Sequence, residues 1–259
     1  MTLNNTPTMY LNSPLEQFTV TSLSQGTFSV LGDAVPLTNL GLYTGLTVGL
    51  VGGVHLAANN DNALVPSRWS VALESTYVTV SSIVRDQVGP RHEVYTPLIV
   101  ALFWFLLVAN LNGNVPYGFT VTTSAIAALG LSVTVFLGVT ALGLTRHQVH
   151  FFAFYVPSGT PLVLVPLLTL IELISYLARA VSLSVRLGSN MVAGHTLLKI
   201  LATFLHKLFA SSLLVAVVTL LPFAIFVGLI GLELAVSLIQ AYVFVVLTSS
   251  YLKDALELH

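Results

Sequence analysis

The sequence predicts an all-α integral membrane protein, and three observations lead to that class. Of the 259 residues, 55% are apolar and only 7% are charged, whereas soluble domains carry about 25% charged residues. The mean hydropathy is +0.90, which suits lipid as the surrounding solvent because ionised side chains are costly there. The apolar residues are also gathered in runs long enough to cross a bilayer as helices.

The same composition excludes several classes of function. The net charge of −1 leaves no basic surface for nucleic acid. Cysteine is absent, so disulfides, thiolate nucleophiles and Cys-ligated metals are excluded. No glycine-rich phosphate loop ending in Lys and Ser or Thr occurs, so no nucleotide site is expected. We therefore expect neither a metal nor another bound cofactor.

The first region, residues 1–36, is polar and rich in turn residues, and we expect a disordered tail there. Residues 1–12 lack a basic start followed by an apolar core, so they are not a secretory signal.

Residues 37–145 are predicted to hold three roughly upright spanning helices and one helix of another kind. The apolar runs are 37–58, 94–111 and 121–145. Between the first two, residues 66–88 repeat apolar side chains every three or four positions with polar ones between them. That period predicts an amphipathic helix on the membrane surface or against a partner helix.

After a polar loop at 146–160, residues 161–259 are almost entirely apolar, and two interpretations stay open. One is a hairpin of two long helices, about 65 Å each and therefore strongly tilted, with the second kinked at Pro222. In it the chain turns at His206 and Lys207, which we interpret as a loop. The other is three or four shorter upright spans.

Polar side chains interrupt this apolar stretch, and such groups are functional candidates because each costs a few kcal/mol in lipid. They are Glu172, Arg179, Arg186, Asn190, His195, Lys199, Glu233, Gln240 and Asp254. Helical spacing places the first four on one face and His195 opposite Arg186. Arg179 and Lys199 also suit plain pairing or snorkelling toward the interface, so we leave them out of the predicted site.

Arg186 is central in this pattern and has a particular chemistry. A guanidinium cannot be deprotonated in a protein, so it attracts a carboxylate but does not pass a proton on. Carboxylates and a histidine can relay protons. A fixed cation flanked by such groups therefore suits proton transfer in two separate halves.

Residues 184–195, SVRLGSNMVAGH, resemble the signature of subunit a of F-type ATP synthase. Glu172 upstream, 233–240 and 251–254 downstream match the same pattern, and 13–18 resemble mitochondrial members from fungi. The resemblance implies a stator that forms two offset aqueous half-channels beside a rotating ring of c subunits. It also implies that the last two helices lie strongly tilted against that ring, which favours the hairpin.

The resemblance further assigns roles by position. Arg186 matches the essential arginine that separates the half-channels. The half-channel open to the intermembrane space is matched by Asn190, His195, Glu233 and Gln240, and the matrix half-channel by Glu172 and Asp254. The implied partners are the c-ring, the peripheral stalk, other small membrane subunits and the lipid bilayer, with dimerisation of the complex. In fungal members a short leader is removed, here residues 1–12.

Charge sets the expected orientation. Arg68, Arg85 and Arg91 follow the first span and Arg146 the third, whereas the tail and the loop at 112–120 have no Lys or Arg. The positive-inside rule then places the N-terminus outside and the C-terminus inside. With the resemblance, this predicts the mitochondrial inner membrane, with the N-terminus in the intermembrane space and the C-terminus in the matrix.

Two other classes of function stand as alternatives. A respiratory-chain subunit with haem or quinone would need paired intramembrane histidines, and His195 is the one clear case in the C-terminal half. A secondary proton-coupled transporter would be expected to show internal repeats, which are not visible in the two halves.

Overall fold

The fold is a bundle of α-helices preceded by a short β-hairpin. The structure is a computed structural model, and it describes residues 14–30, 33–58, 66–115, 118–148, 151, 164–209 and 217–256. The helices in these ranges are α1 (Asn39–Ala58), α2 (Arg68–Val88), α3 (Thr96–Gly113), α4 (Ala125–His147), α5 (Val165–Phe209) and α6 (Leu220–Leu256).

Five of these helices are long and apolar enough to cross a membrane: α1, α3 with the 3-10 turn before it, α4, α5 and α6. The predicted class of all-α membrane protein is thereby confirmed. Helices α5 and α6 have 45 and 37 residues, or about 68 and 56 Å at 1.5 Å per residue. Because both exceed the hydrocarbon thickness of about 30 Å, the structure favours two long helices over several short spans. Their tilt stays an inference from this length.

The predicted boundaries of the long helices need two corrections. His206 and Lys207 lie in the last turn of α5 rather than in a loop, a position where basic side chains complement the helix dipole. Pro222 is the third residue of α6 and not a kink in its middle, because proline fits the first turn, where its missing N–H is not needed. The turn between the helices falls in 210–216, outside the described residues.

The expectation of a disordered N-terminal tail is wrong for residues 14–30 and 33–38. Pro14–Phe18 forms a 3-10 turn, and strands β1 (Ser22–Val30) and β2 (Asp33–Thr38) pair antiparallel. The amide of Asn39 ties this hairpin to α1, since its Oδ1 accepts from Thr21 N at 3.2 Å and its Nδ2 donates to Thr19 O at 3.0 Å. Thr, Val and Phe in this segment favour strands. The polar average composition of residues 1–36 concealed that preference. Residues 1–12 lie outside the described part of the chain.

Helix α2 has the predicted amphipathic character. Ser67 caps its start by accepting from Ser70 N at 3.2 Å, and Gly89 ends it at a φ of 93°. Val80, Val84 and Val88 form its buried stripe and pack against the C-terminal part of α6, while Trp69 near the start of the helix is 71% exposed. The helix therefore covers one end of the bundle.

A buried apolar cluster lies halfway along α5 and α6, where α3 and α4 also meet them. We call this group of side chains the apolar layer: Leu106, Ala128, Leu183, Leu187, Ala241 and Phe244. Each of these side chains is at most 2% exposed. Lipid tails are as apolar as leucine, so close packing and polar contacts, rather than the hydrophobic effect, hold such helices together.

Candidate functional site

Three side-chain contacts join α5 and α6 and show that the two helices run antiparallel. Arg179 contacts Asp254, Asn190 contacts Gln240, and His195 contacts Glu233. Residue numbers rise along α5 as they fall along α6, as antiparallel pairing requires. The contacts fall into two groups on opposite sides of the apolar layer, which we call the His195 cluster and the Asp254 cluster.

In the His195 cluster, the imidazole is held between a carboxylate and a hydroxyl. Nδ1 of His195 lies 3.1 Å from Oε1 of Glu233, within ion-pair distance although not aligned as a hydrogen bond. Nε2 of His195 lies 3.0 Å from Oγ1 of Thr120. Glu233 is 8% exposed, and a Cβ at Gly194 would sit 3.0 Å from its Oε1. Gly194 thus leaves room for the carboxylate beside α5.

Asn190 and Gln240 extend this cluster toward the apolar layer. Nδ2 of Asn190 donates to Oε1 of Gln240 at 2.9 Å. Glu233 and Gln240 lie one heptad apart, and both are buried on the side of α6 that faces its neighbours. Asn190 and His195, about 140° apart in helical projection, nevertheless both contact α6. The projection of a straight helix therefore underestimates how far around the helix long side chains can reach.

Five polar residues of this cluster escaped the sequence analysis: Asn110, Asn114, Thr120, Thr122 and Ser237. Asn110 is fully buried, accepts from Oγ1 of Thr122 at 2.9 Å and donates to Ser237 O at 3.3 Å. Asn114 donates to Oγ of Ser237 at 2.8 Å. Asn110 lies in an apolar run, so the cost of a polar group in lipid was a signal that could have found it.

Several buried polar atoms near this cluster lack a hydrogen-bond partner among the described residues. They are Asn112 Nδ2, Asn114 Oδ1, Thr196 Oγ1 and Gln240 Nε2. A buried polar atom without a partner is costly, and water is the usual remedy where the surroundings are polar. The cluster is therefore suited to hold water.

The Asp254 cluster is built around one charged pair. Nη1 of Arg179 lies 2.7 Å from Oδ2 of Asp254, with side-chain exposures of 23% and 35%. The guanidinium also lies 5.7 Å from the ring centre of Tyr176 and 5.5 Å from that of Tyr251, within the range of cation–π attraction. The hydroxyl of Tyr176 is 2.7 Å from that of Thr140. The interpretation of Arg179 as a pairing residue is confirmed.

Arg186 lies on α5 between the two clusters, one turn from Asn190 and two turns from Arg179. Its side chain is partly buried, and it makes no hydrogen bond or ion pair with another described residue. Glu172, two turns before Arg179, is likewise partly buried and unpaired within the described chain. Both residues are thus free to meet groups outside this chain.

The chemistry of the side chains in the two clusters suits proton binding. Within the described ranges, no three His, Cys, Asp or Glu side chains gather as metal ligands would. Carboxylate, imidazole, amide and hydroxyl groups, in contrast, are the groups that bind and pass protons or order water. In the described part of the chain, the apolar layer lies between the two clusters.

Comparison with known proteins gives consistent results. The model of the family described as ATP synthase A chain matches residues 41–253. ATP synthase subunit a from Mycosarcoma maydis is 62% identical over 250 residues, covering 96% of this chain and 98% of that protein. The subunit a proteins of Emericella nidulans and Neurospora crassa are 48% and 45% identical. The match to the Emericella nidulans protein covers 96% of this chain and 98% of that protein. The match to the Neurospora crassa protein covers 100% of this chain and 99% of that protein.

Proposed function

This chain belongs to the ATP synthase A chain family, and on that premise we propose that it is the proton-translocating stator subunit of a rotary ATP synthase. It forms two offset half-channels that load and unload the carboxylates of a rotating c-ring. The subunit is a component of the membrane complex and not a catalyst on its own. Each charge that crosses 100 mV yields about 2.3 kcal/mol, and several such steps drive one turn of the ring.

The observation that carries this proposal is the separation of two polar clusters by the apolar layer. The side chains of that layer are at most 2% exposed, and the hydroxyl side chains between the clusters, Ser184, Thr248 and Ser249, are buried too. A proton entering one cluster therefore meets closely packed, mostly apolar side chains before the other. Along α5, His195 and Arg179 are 16 residues apart, or about 24 Å. A mobile partner that accepts the proton at one cluster and releases it at the other would carry the proton past the apolar layer.

We propose that Arg186 is the residue that contacts this mobile partner. A partly buried guanidinium that has no counter-ion among the described residues is unfavourable in lipid, and a carboxylate is the group that best compensates it. Because arginine stays protonated, it passes no proton to its neighbours. It would hold an arriving anion while blocking a direct leak between the half-channels.

The two half-channels are proposed to divide the remaining site residues. Asn190, His195, Glu233 and Gln240 line the one open to the intermembrane space, where the partnerless buried amides suit water. Glu172 and Asp254 line the one open to the matrix. Because Asp254 contacts Arg179, its side chain is held in place where it lines the matrix half-channel.

The placement of the clusters supports the proposed orientation in the mitochondrial inner membrane. Helix α2, which carries Arg85, packs against Leu252 and Leu256 near the Asp254 cluster. The loop that supplies Thr120 to the His195 cluster has no Lys or Arg. By the positive-inside rule, the Asp254 cluster then faces the matrix, and the N-terminus faces the intermembrane space.

The proposed partners follow from this role. The c-ring faces Arg186, and the peripheral stalk and other small membrane subunits hold the chain still against rotation. Dimerisation of the complex is part of the same proposal. The surrounding lipid covers the large apolar side chains exposed along α1, α4, α5 and α6.

Substituting Arg186→Ala in the assembled complex tests the proposal. We expect ATP synthesis and ATP-driven proton pumping to fall at least about 100-fold, because about 3 kcal/mol or more of charge stabilisation is lost, while the complex still assembles. Arg146→Ala, which removes an exposed arginine at the end of α4, is the matched control and should keep both activities. Normal ATP synthesis by an assembled Arg186→Ala complex would refute the proposed role.

A further inference from the structure

Thr120 contacts the His195 ring on the side opposite Glu233. Its Oγ1 lies 3.0 Å from Nε2 of His195, and its side chain is buried, with 5% of the residue exposed. Its backbone carbonyl accepts from Oγ1 of Thr123 at 2.6 Å, which fixes the start of the 3-10 turn Val121–Thr123. The hydroxyl thus approaches His195 from a rigid piece of backbone.

The close approach of Thr120 depends on a glycine at the end of α3. A Cβ built on Gly113 would lie 2.7 Å from Cβ of Thr120 and nearer still to its Oγ1 and Cγ2. Real Cβ atoms do not come so close, so any other residue at 113 would push Thr120 away. Gly113 therefore allows the contact between Thr120 and His195 to form.

The two nitrogens of an imidazole are distinct, and the hydrogen bond at one decides what the other presents. With Thr120 at Nε2 and Glu233 at Nδ1, the ring is held on both sides. A hydroxyl can donate or accept, so it remains a partner for Nε2 when the ring gains or loses a proton. Without Thr120, the ring would keep Glu233 at Nδ1 and a tilted contact with the Phe18 ring, but nothing would hold Nε2 in one direction.

We propose that Thr120 is a positioning residue for His195, which it holds with Nδ1 toward Glu233 so that protons pass between them. This inference rests on the proposed function, since it names a further residue of the same half-channel. Thr120 acts through His195, the ring that its hydroxyl contacts. Its contribution is a fixed orientation of the ring in every protonation state.

The test compares variants of the intact complex reconstituted in liposomes. Thr120→Val keeps the shape but removes the hydroxyl, and we expect about a tenfold lower rate of proton-driven ATP synthesis, typical of losing one orienting hydrogen bond. Thr120→Ser keeps the hydroxyl and should restore most of the rate. Thr134→Val is the matched control, because that hydroxyl bonds only the carbonyl of Gly130 on the exposed side of α4.

Two further variants separate positioning from mere structure. Gly113→Ala retains the hydroxyl but displaces it and should reproduce the loss seen in Thr120→Val. In a His195→Gln background, Thr120→Val should lower the rate no further, since the ring on which it acts is gone. Additive losses would show that Thr120 acts elsewhere and would overturn the inference.

Parallel measurement of Arg186→Ala separates this inference from the proposed function. If Arg186→Ala abolishes synthesis while Thr120→Val and Gly113→Ala leave it unchanged in assembled complexes, the positioning role is refuted and the stator role stands. If Arg186→Ala also leaves synthesis unchanged, the stator role itself fails. A loss in Thr120→Val that Thr120→Ser does not restore would likewise overturn the positioning role.

Discussion

The two polar clusters on either side of the apolar layer hold α5 and α6 together by different means. The Asp254 cluster has a full ion pair, with Arg179 Nη1 at 2.7 Å from Asp254 Oδ2 and two tyrosine rings near the guanidinium. The His195 cluster is a network of amides, hydroxyls, one imidazole and one carboxylate, in which some buried atoms have no partner in the described chain.

This difference indicates a division of roles. A guanidinium and a carboxylate in direct contact satisfy one another and fix the spacing of two helices. A network of neutral donors and acceptors can change its hydrogen bonds at little cost and accept water at its open positions. We therefore infer that the Asp254 cluster contributes most to holding the helices, and the His195 cluster most to moving protons.

Among substitutions within the two clusters, the largest effect is expected from Glu233→Gln. Glutamine has the same shape but cannot exchange a proton, so we expect ATP-driven pumping to fall about 100-fold, the typical contribution of a positioned acid or base. Assembly of the complex should be unchanged, as measured on native gels. Glu74→Gln, at an exposed position of α2, is the control with the same chemical change. Normal pumping in Glu233→Gln would contradict the division of roles.

Much of the fold could be predicted because the membrane imposes it. Apolar runs of about 20 residues predict spans, and the period of α2 predicts its amphipathic packing. The β-hairpin was missed because its strand-favouring residues are diluted by polar ones. The end of α5 was misplaced because His206 and Lys207 suit either a loop or the last turn of a helix.

The candidate site was predictable only where its side chains are rare in lipid. Charged residues such as Glu233 and Asp254 stand out against an apolar sequence. Thr120 and Ser237 do not, since Thr and Ser often bond their own helix carbonyl and are tolerated in spans. Their role depends on which helices meet, a property of the tertiary structure and not of any short segment.

Asp254→Asn should have a smaller effect, and mainly on stability. The substitution leaves Arg179 partly buried without its anion. For an ion pair that is neither fully exposed nor fully buried, this loss lowers the free energy of unfolding by about 1–3 kcal/mol. We expect a lower midpoint of thermal unfolding of the purified complex, and a smaller loss of pumping than in Glu233→Gln. Adding Arg179→Met should recover part of the stability, because it removes the unpaired charge. Full stability with abolished pumping would reverse the roles of the two clusters.

The smallest effect is expected from Ser237→Ala, within the His195 cluster. Oγ of Ser237 accepts from Asn114 at 2.8 Å and donates to the carbonyl of Glu233 at 2.9 Å. Alanine removes both contacts, but a water can take the place of one hydroxyl, so the net loss should be about 1 kcal/mol. Pumping should then fall about fivefold with assembly intact, whereas Ser82→Ala, exposed on α2, should change nothing. A loss of assembly would instead mean that this network holds the helices as firmly as the ion pair does.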